Sequence, residues 1–105
     1  MRVLIDNGVP WRLGNAITGH EVSSVVKLGW SDLDDGVLLD AMDGRFDVLI
    51  TVDKSIPFQR NLVGRPLALI VLRAKSNSLN QLKPLIPALL DALATIAPGE
   101  ARVIG

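Results

Sequence analysis

The chain has 105 residues, 49% of them apolar, and its 11 basic and 11 acidic residues give a formal net charge of zero. A chain of this length forms one domain, residues 1–105, and zero net charge excludes a protein that coats nucleic acid through bulk electrostatics. The absence of cysteine excludes disulfides and thiolate chemistry, and without a signal peptide or membrane-length apolar run we expect a soluble cytoplasmic protein with no membrane partner.

Apolar runs alternate with helical patterns along the chain and predict five strands. Branched apolar residues bounded by turn formers are typical of buried strands, and apolar residues three or four apart are typical of helices. The predicted strands, in chain order, are 1–6, 20–26, 46–52, 67–72 and 101–104. The predicted helices are 10–18, a segment opened by Asp34 and ended by Asp43-Gly44, a short turn within 54–61, and 78–97. Pro84 lies inside the last helix and predicts that it starts or bends there.

This alternation predicts an α/β fold. Strands separated by helices pair in parallel, with helices on both faces of the sheet. Right-handed crossovers restrict the fold to a single Rossmann-like domain with a mostly parallel sheet of four to five strands. The carboxyl ends of all strands then lie along one edge of the sheet, which we call the carboxyl edge. Ligands of open α/β sheets bind there.

Three aspartates are candidate metal ligands and catalytic residues at the carboxyl edge. Asp6 follows the first predicted strand, Asp53 follows the third, and Asp34 opens the helix between them. Carboxylate oxygens are preferred ligands of Mg²⁺, and two-metal sites carry out phosphodiester hydrolysis. The placement of the three aspartates therefore predicts a divalent-cation site with Mg²⁺ or Mn²⁺ as cofactor.

Each of these aspartates also has a structural interpretation. Asp6 followed by Asn7-Gly8 is typical of a turn. Asp34 fits a capping box with Ser31, in which the serine accepts a backbone hydrogen bond and the acid favours the positive end of the helix. Asp32 and Asp35 compete with Asp34 for any metal role.

Charged residues are unevenly distributed along the chain. Residues 1–53 contain nine acidic and four basic residues, whereas residues 54–105 contain two acidic and seven basic residues. A cation site from the first half beside phosphate-binding cations from the second half would fit this distribution. Lys54, Arg73 and Arg12 are the candidate ligands of substrate phosphates.

The only histidine and the two tryptophans are candidates of a different kind. His20 begins the second strand, far from the carboxyl edge, and we interpret it as structural. Trp11 and Trp30 have the chemistry to stack on bases, although we favour their partial burial against a helix or a dimer partner.

Together these segments resemble the small PIN-like proteins related to the VapC-type toxin ribonucleases of prokaryotic toxin–antitoxin modules. The resemblance covers nearly the whole chain and rests on the order and spacing of its parts. These parts are the strand 3–6 ending in Asp, Pro10, the segment 19–22, the early acids of 31–39, the strand-Thr-x-Asp-Lys motif at 48–54, and an apolar strand ending in Arg73.

The resemblance implies a PIN-like fold whose carboxylates hold Mg²⁺ or Mn²⁺ for RNA cleavage, with Asp6, Asp34 and Asp53 at the matching positions. It also implies a toxin with an RNA substrate, neutralised by a small antitoxin protein, and a homodimer, because small PIN-like domains often pair. Asn7 and Ser55 stand where many relatives have further acids. The alternative is a catalytically degenerate PIN-fold protein that binds or interacts without cutting.

Overall fold

A five-stranded, all-parallel sheet forms the centre of the structure, a computed structural model that describes residues 1–54, 62 and 64–105. The strands are β1 (Arg2–Ile5), β2 (Glu21–Ser24), β3 (Val48–Thr51), β4 (Ala68–Leu72) and β5 (Ala101–Ile104). They are hydrogen-bonded in the order β2-β1-β3-β4-β5. The predicted α/β fold with a parallel sheet is therefore confirmed.

The strand order reverses at β1. The chain passes from β1 to β2 on one side of the sheet and then returns to β3, which pairs with the opposite side of β1. In open parallel sheets such a reversal leaves a crevice outside the carboxyl ends of the two strands concerned. Here those strands are β1 and β3, which Asp6 and Asp53 follow.

Alternate residues of β1, β3 and β4 enter two separate hydrophobic cores, one on each face of the sheet. The first core contains Val3, Ile5, Val48, Ile50, Ile70, Leu13, Leu89 and Leu93. The second contains Leu4, Leu49, Leu69, Val71, Leu38, Leu39 and Met42. Because both faces are covered, these three central strands are mainly apolar runs rather than alternating ones.

Helices cover both faces, as predicted. The second core is covered by α1 (Val25–Leu28) and α2 (Asp35–Met42). The first is covered by a 3₁₀ helix (Trp11–Ala16), α3 (Leu79–Leu82), a 3₁₀ turn (Lys83–Leu85) and α4 (Ile86–Thr95). None of the helices in the described part of the chain is long and apolar enough to cross a membrane.

The second strand is shorter than predicted. It ends at Ser24, whose hydroxyl accepts a hydrogen bond from the Lys27 backbone N–H at 3.2 Å and so caps α1. Val25 and Val26 are therefore helical, although β-branched residues favour strands, because capping and burial of Val25 outweigh the intrinsic preference. Gly29 ends the helix in a left-handed conformation with φ of 73°.

Two predicted helices take a different local form. Within 10–18 the chain forms a 3₁₀ helix, in which the Leu13 N–H donates to the Pro10 carbonyl at 3.0 Å. The predicted helix 78–97 is interrupted at Pro84, where a 3₁₀ turn separates α3 from α4, as the missing proline N–H predicts. The turn predicted within 54–61 lies, apart from Lys54, outside the described residues.

At the opposite end of the sheet, Arg2 and Asp47 join the starts of β1 and β3. The guanidinium of Arg2 donates to both oxygens of Asp47, at 3.1 and 3.4 Å, and the Arg2 backbone N–H donates to the same carboxylate at 2.7 Å. The hydrogen bond from the Arg2 side chain holds the pKa of Asp47 below its usual value. Asp47 therefore contributes stability above the pKa that it has in the unfolded chain, and this contribution is lost as the pH falls.

We expect Asp47→Asn to lower Tm by a few degrees at pH 7, because the amide keeps one acceptor oxygen but loses the charge. The difference should shrink as the pH falls toward about pH 2, because protonation then removes the charge of the wild-type carboxyl as well. Thermal unfolding of both proteins between these two pH values checks this. Identical Tm values at pH 7 would contradict it.

Candidate functional site

Thr51, the last residue of β3, connects the two chain segments that follow β1 and β3. Its buried hydroxyl donates to Oδ2 of Asp6 at 2.7 Å and accepts from the backbone N–H of Asp53 at 3.0 Å. The Asp6 N–H donates in turn to the carbonyl of Ile50 at 2.8 Å. The Thr51 hydroxyl therefore orients the carboxylate of Asp6 and holds the backbone of Asp53 next to it.

Asp6 is both a turn former and an acid at the carboxyl edge. The Val9 N–H donates to the Asp6 carbonyl at 3.1 Å, which closes a tight turn, and the Asn7 N–H donates to Oδ1 at 2.8 Å. A Cβ on Gly8 would meet the side chain of Val52 at 2.9 Å, so this glycine lets the turn pack against the end of β3. The turn therefore positions Asp6 close to the residues that follow β3.

A third carboxyl, that of Asp35, belongs to the same electrostatic environment. Partial burial raises its pKa, and the negative charges of Asp53, Asp6 and Asp34 raise it further. Asp35 is the first residue of α2, whereas Asp34 occupies the exposed capping position before it. The helix start therefore brings Asp35, which the sequence left as a competitor of Asp34, under the influence of both strand-end carboxylates.

The predicted capping box is not formed. Asp34 stands at the N-cap of α2 but its side chain makes no capping hydrogen bond. The chain instead makes a turn before the helix, in which the Leu33 N–H donates to the Trp30 carbonyl at 3.1 Å. The capping-box prediction for Ser31 and Asp34 is wrong, because α2 begins later than such a box requires.

The carboxylates are suited to an open cation site rather than to a closed one. Over residues 1–54, 62 and 64–105, no three His, Cys, Asp or Glu side chains form a group that could hold a metal ion. The set of Asp6, Asp34 and Asp53 stays a prediction. Mg²⁺ usually keeps several waters and needs only one or two protein carboxylates plus substrate phosphate, so Asp6 with Asp53 or Asp35 fits its chemistry.

Two of the three predicted phosphate ligands lie together beside Asp53. Lys54 and Arg73 line one groove of about 230 Å³ with Ser76 and Asn77. The guanidinium of Arg73 donates to the Gly105 carbonyl at 2.9 and 3.2 Å, which anchors this side chain at the carboxyl edge. The groove therefore offers two cations next to the strand-end carboxylates.

Arg12, the third predicted phosphate ligand, lies apart from this groove. It lines another groove, of about 320 Å³, with Lys83 of the 3₁₀ turn. His20 is also distant from the carboxyl edge, since its Nδ1 lies 3.1 Å from the amino group of Met1. Trp30 is partly buried against Phe46, with ring centroids 6.0 Å apart in an edge-to-face arrangement, as predicted for a packing role.

Two residues of the site were not among the ligands that the sequence predicted. Thr51 was visible in the Thr-x-Asp motif, but its bond to Asp6 joins residues 45 positions apart. Asp35 was visible only as one of several neighbouring acids. Both depend on tertiary placement, which a local pattern does not contain.

Comparison of the chain with protein-family models, curated proteins and solved structures found no match in any of the three. The function is therefore argued from the residues of the site and from the motifs that the sequence carries.

Proposed function

We propose that this protein is a Mg²⁺- or Mn²⁺-dependent ribonuclease of the PIN-like type, the toxin of a toxin–antitoxin module. The observation that carries the proposal is the Thr51 hydroxyl, which bonds to both the Asp6 carboxylate and the Asp53 backbone N–H at the carboxyl ends of β1 and β3. We infer the RNA substrate, the small antitoxin partner and the homodimer from the resemblance of the motifs to PIN-like proteins.

In this proposal Asp6 and Asp53 are the principal metal ligands. When bound, a divalent cation would polarise the scissile phosphate and lower the pKa of an attacking water. Asp35, in preference to Asp34, would interact with the cation through its bound waters, because the charges of Asp53 and Asp6 act on the Asp35 carboxyl. Such like-charge crowding is common at functional sites, where a cation relieves it.

The chain's other residues at the carboxyl edge act on the substrate. Lys54 and Arg73 hold phosphate oxygens on the side of Asp53 that faces β4, since both line the groove there. Thr51 is a positioning residue that keeps Asp6 in the orientation needed to bind a cation. In the described part of the chain, neither Asp6 nor Asp35 forms an ion pair with a Lys or Arg.

The test is cleavage of an unstructured and a structured RNA with Mn²⁺ or Mg²⁺, comparing wild type with Asp35→Asn and its neighbour Asp34→Asn. We expect cutting that EDTA abolishes, a decrease of at least about tenfold for Asp35→Asn, and a much smaller decrease for Asp34→Asn. The two variants remove the same charge from adjacent positions, so each is the control of the other.

The outcomes separate the alternatives. A larger loss in Asp34→Asn would assign this role to Asp34, the acid that the family motif matches. Cutting that resists EDTA would indicate a contaminant and overturn the proposal. Calorimetric binding of Mn²⁺ without any cutting would favour the degenerate PIN-fold protein.

A further inference from the structure

An exposed tryptophan with two cations against its ring lies on the 3₁₀ helix that follows β1. The side chain of Trp11 is 44% exposed and belongs to neither core. Lys27 Nζ lies 5.0 Å and Arg12 Cζ lies 5.4 Å from the centre of its ring. Among the described residues neither cation pairs with a carboxylate, so both charges are available to an anionic ligand.

Trp30 shows what a tryptophan with a packing role looks like in the same chain. A cation also lies over its ring, with Arg45 Cζ 4.8 Å from the ring centre. Trp30, however, packs edge-to-face on Phe46 and against the second core, whereas packing does not account for Trp11.

Two neighbouring grooves lie near Trp11, and cations line both. The smaller, of about 80 Å³, is lined by Trp11, Ser24 and Lys27, and the larger, of about 320 Å³, is lined by Arg12 and Lys83. Asn15 lines both grooves, so they are neighbours on the surface of the 3₁₀ helix. This surface therefore combines an exposed aromatic side chain with positive charge close to it.

The surface lies next to the carboxylates of the carboxyl edge. Ser24, which lines the smaller groove, pairs with Ile5, the residue before Asp6. Trp11 is therefore beside the end of β2, on the side of Asp6 away from Asp53. From β2 to the Lys54 and Arg73 groove near β4 is three strand spacings, about 14 Å.

We propose that Trp11, Lys27 and Arg12 bind single-stranded nucleic acid, with Trp11 stacking on an unpaired base and the two cations holding the adjoining phosphates. This inference rests on the proposed function in taking RNA as the ligand, and it deepens that function by assigning a second contact surface for the strand, beside the carboxyl edge. A paired base lies within the helical stack and does not present its face to a side chain, whereas an unpaired base does.

The test is fluorescence anisotropy of a labelled, unstructured ten-nucleotide RNA in EDTA, where neither metal binding nor cleavage contributes. We expect Trp11→Leu to weaken binding about tenfold, the loss of one base–aromatic stack, and Trp11→Phe to retain most of the affinity. Lys27→Gln should weaken binding severalfold and reduce its dependence on salt. Arg45→Gln is the matched control, because it removes the same kind of charge from over Trp30, and it should bind as wild type does.

Several results would overturn the inference. These are no binding of the RNA by wild type, equal affinity in Trp11→Leu and wild type, or equal affinity for an RNA duplex of the same length. Because the assay contains no divalent cation, its failure is distinct from failure of the proposed ribonuclease. A protein that cuts RNA with Mn²⁺ but binds equally with Leu at position 11 would lose this inference and keep the proposed function.

Discussion

Replacing Asp6 with asparagine is expected to remove divalent-cation-dependent RNA cleavage while leaving the fold intact. The amide oxygen of asparagine still accepts the hydrogen bond from Thr51, so the connection between β1 and β3 survives. The negative charge is lost, and with it an anionic ligand for the cation, so cleavage should fall at least about 100-fold. Initial rates with Mn²⁺ over a range of concentrations measure the effect.

The same substitution should change the stability of the protein little. Asn at position 6 loses the hydrogen bond from the Asn7 N–H to Oδ1, but removal of the charge also relieves repulsion of the Asp35 carboxyl, so the two effects on Tm oppose each other. Asp91→Asn, which removes an exposed carboxylate from α4, is the control and should change neither cleavage nor Tm. Wild-type cleavage rates in Asp6→Asn would contradict the assignment of Asp6.

Leu49→Ala should cost about 3 to 4 kcal/mol of unfolding free energy, the largest stability effect that we expect from a single substitution in this chain. Leu49 lies in the middle of β3, is fully buried, and packs in the second core beneath α2. Because Leu49 is fully buried, solvent does not reach the cavity left by the three missing carbon atoms. Chemical denaturation of wild type and variant measures the difference.

Val37→Ala is the matched control for that experiment. Val37 lies in α2 but is 51% exposed, so its truncation should change the free energy of unfolding by no more than about 0.5 kcal/mol. A loss below about 1 kcal/mol in Leu49→Ala would show that the sheet and α2 close over the cavity, against the tight packing that the burial of Leu49 indicates.

The buried strands were predictable because a run of apolar residues indicates a strand that is covered on both faces. β3 and β4 are continuous apolar runs, which only a sheet covered on both faces accommodates. The border between β2 and α1 was not predictable in the same way, since Val25 favours a strand by itself and becomes helical through the cap at Ser24. Where propensity and capping disagree, the tertiary environment decides.

The candidate site was also predictable only in part. That Asp6 and Asp53 lie near one another follows from parallel topology, because both come shortly after the ends of neighbouring strands. Which acid of α2 accompanies them does not follow from the pattern. Successive residues of a helix are turned by about 100°, so a shift of one position in the helix start exchanges Asp34 for Asp35.

The bond network of Thr51 limits what position 51 can be. Its hydroxyl donates a hydrogen bond to Asp6 and accepts one from the N–H of Asp53. Position 51 therefore requires a group that can donate and accept at once. Valine has the same shape but neither capacity, and alanine would leave a void as well. Of the amino acids small enough for this buried end of β3, only serine shares a hydroxyl with threonine.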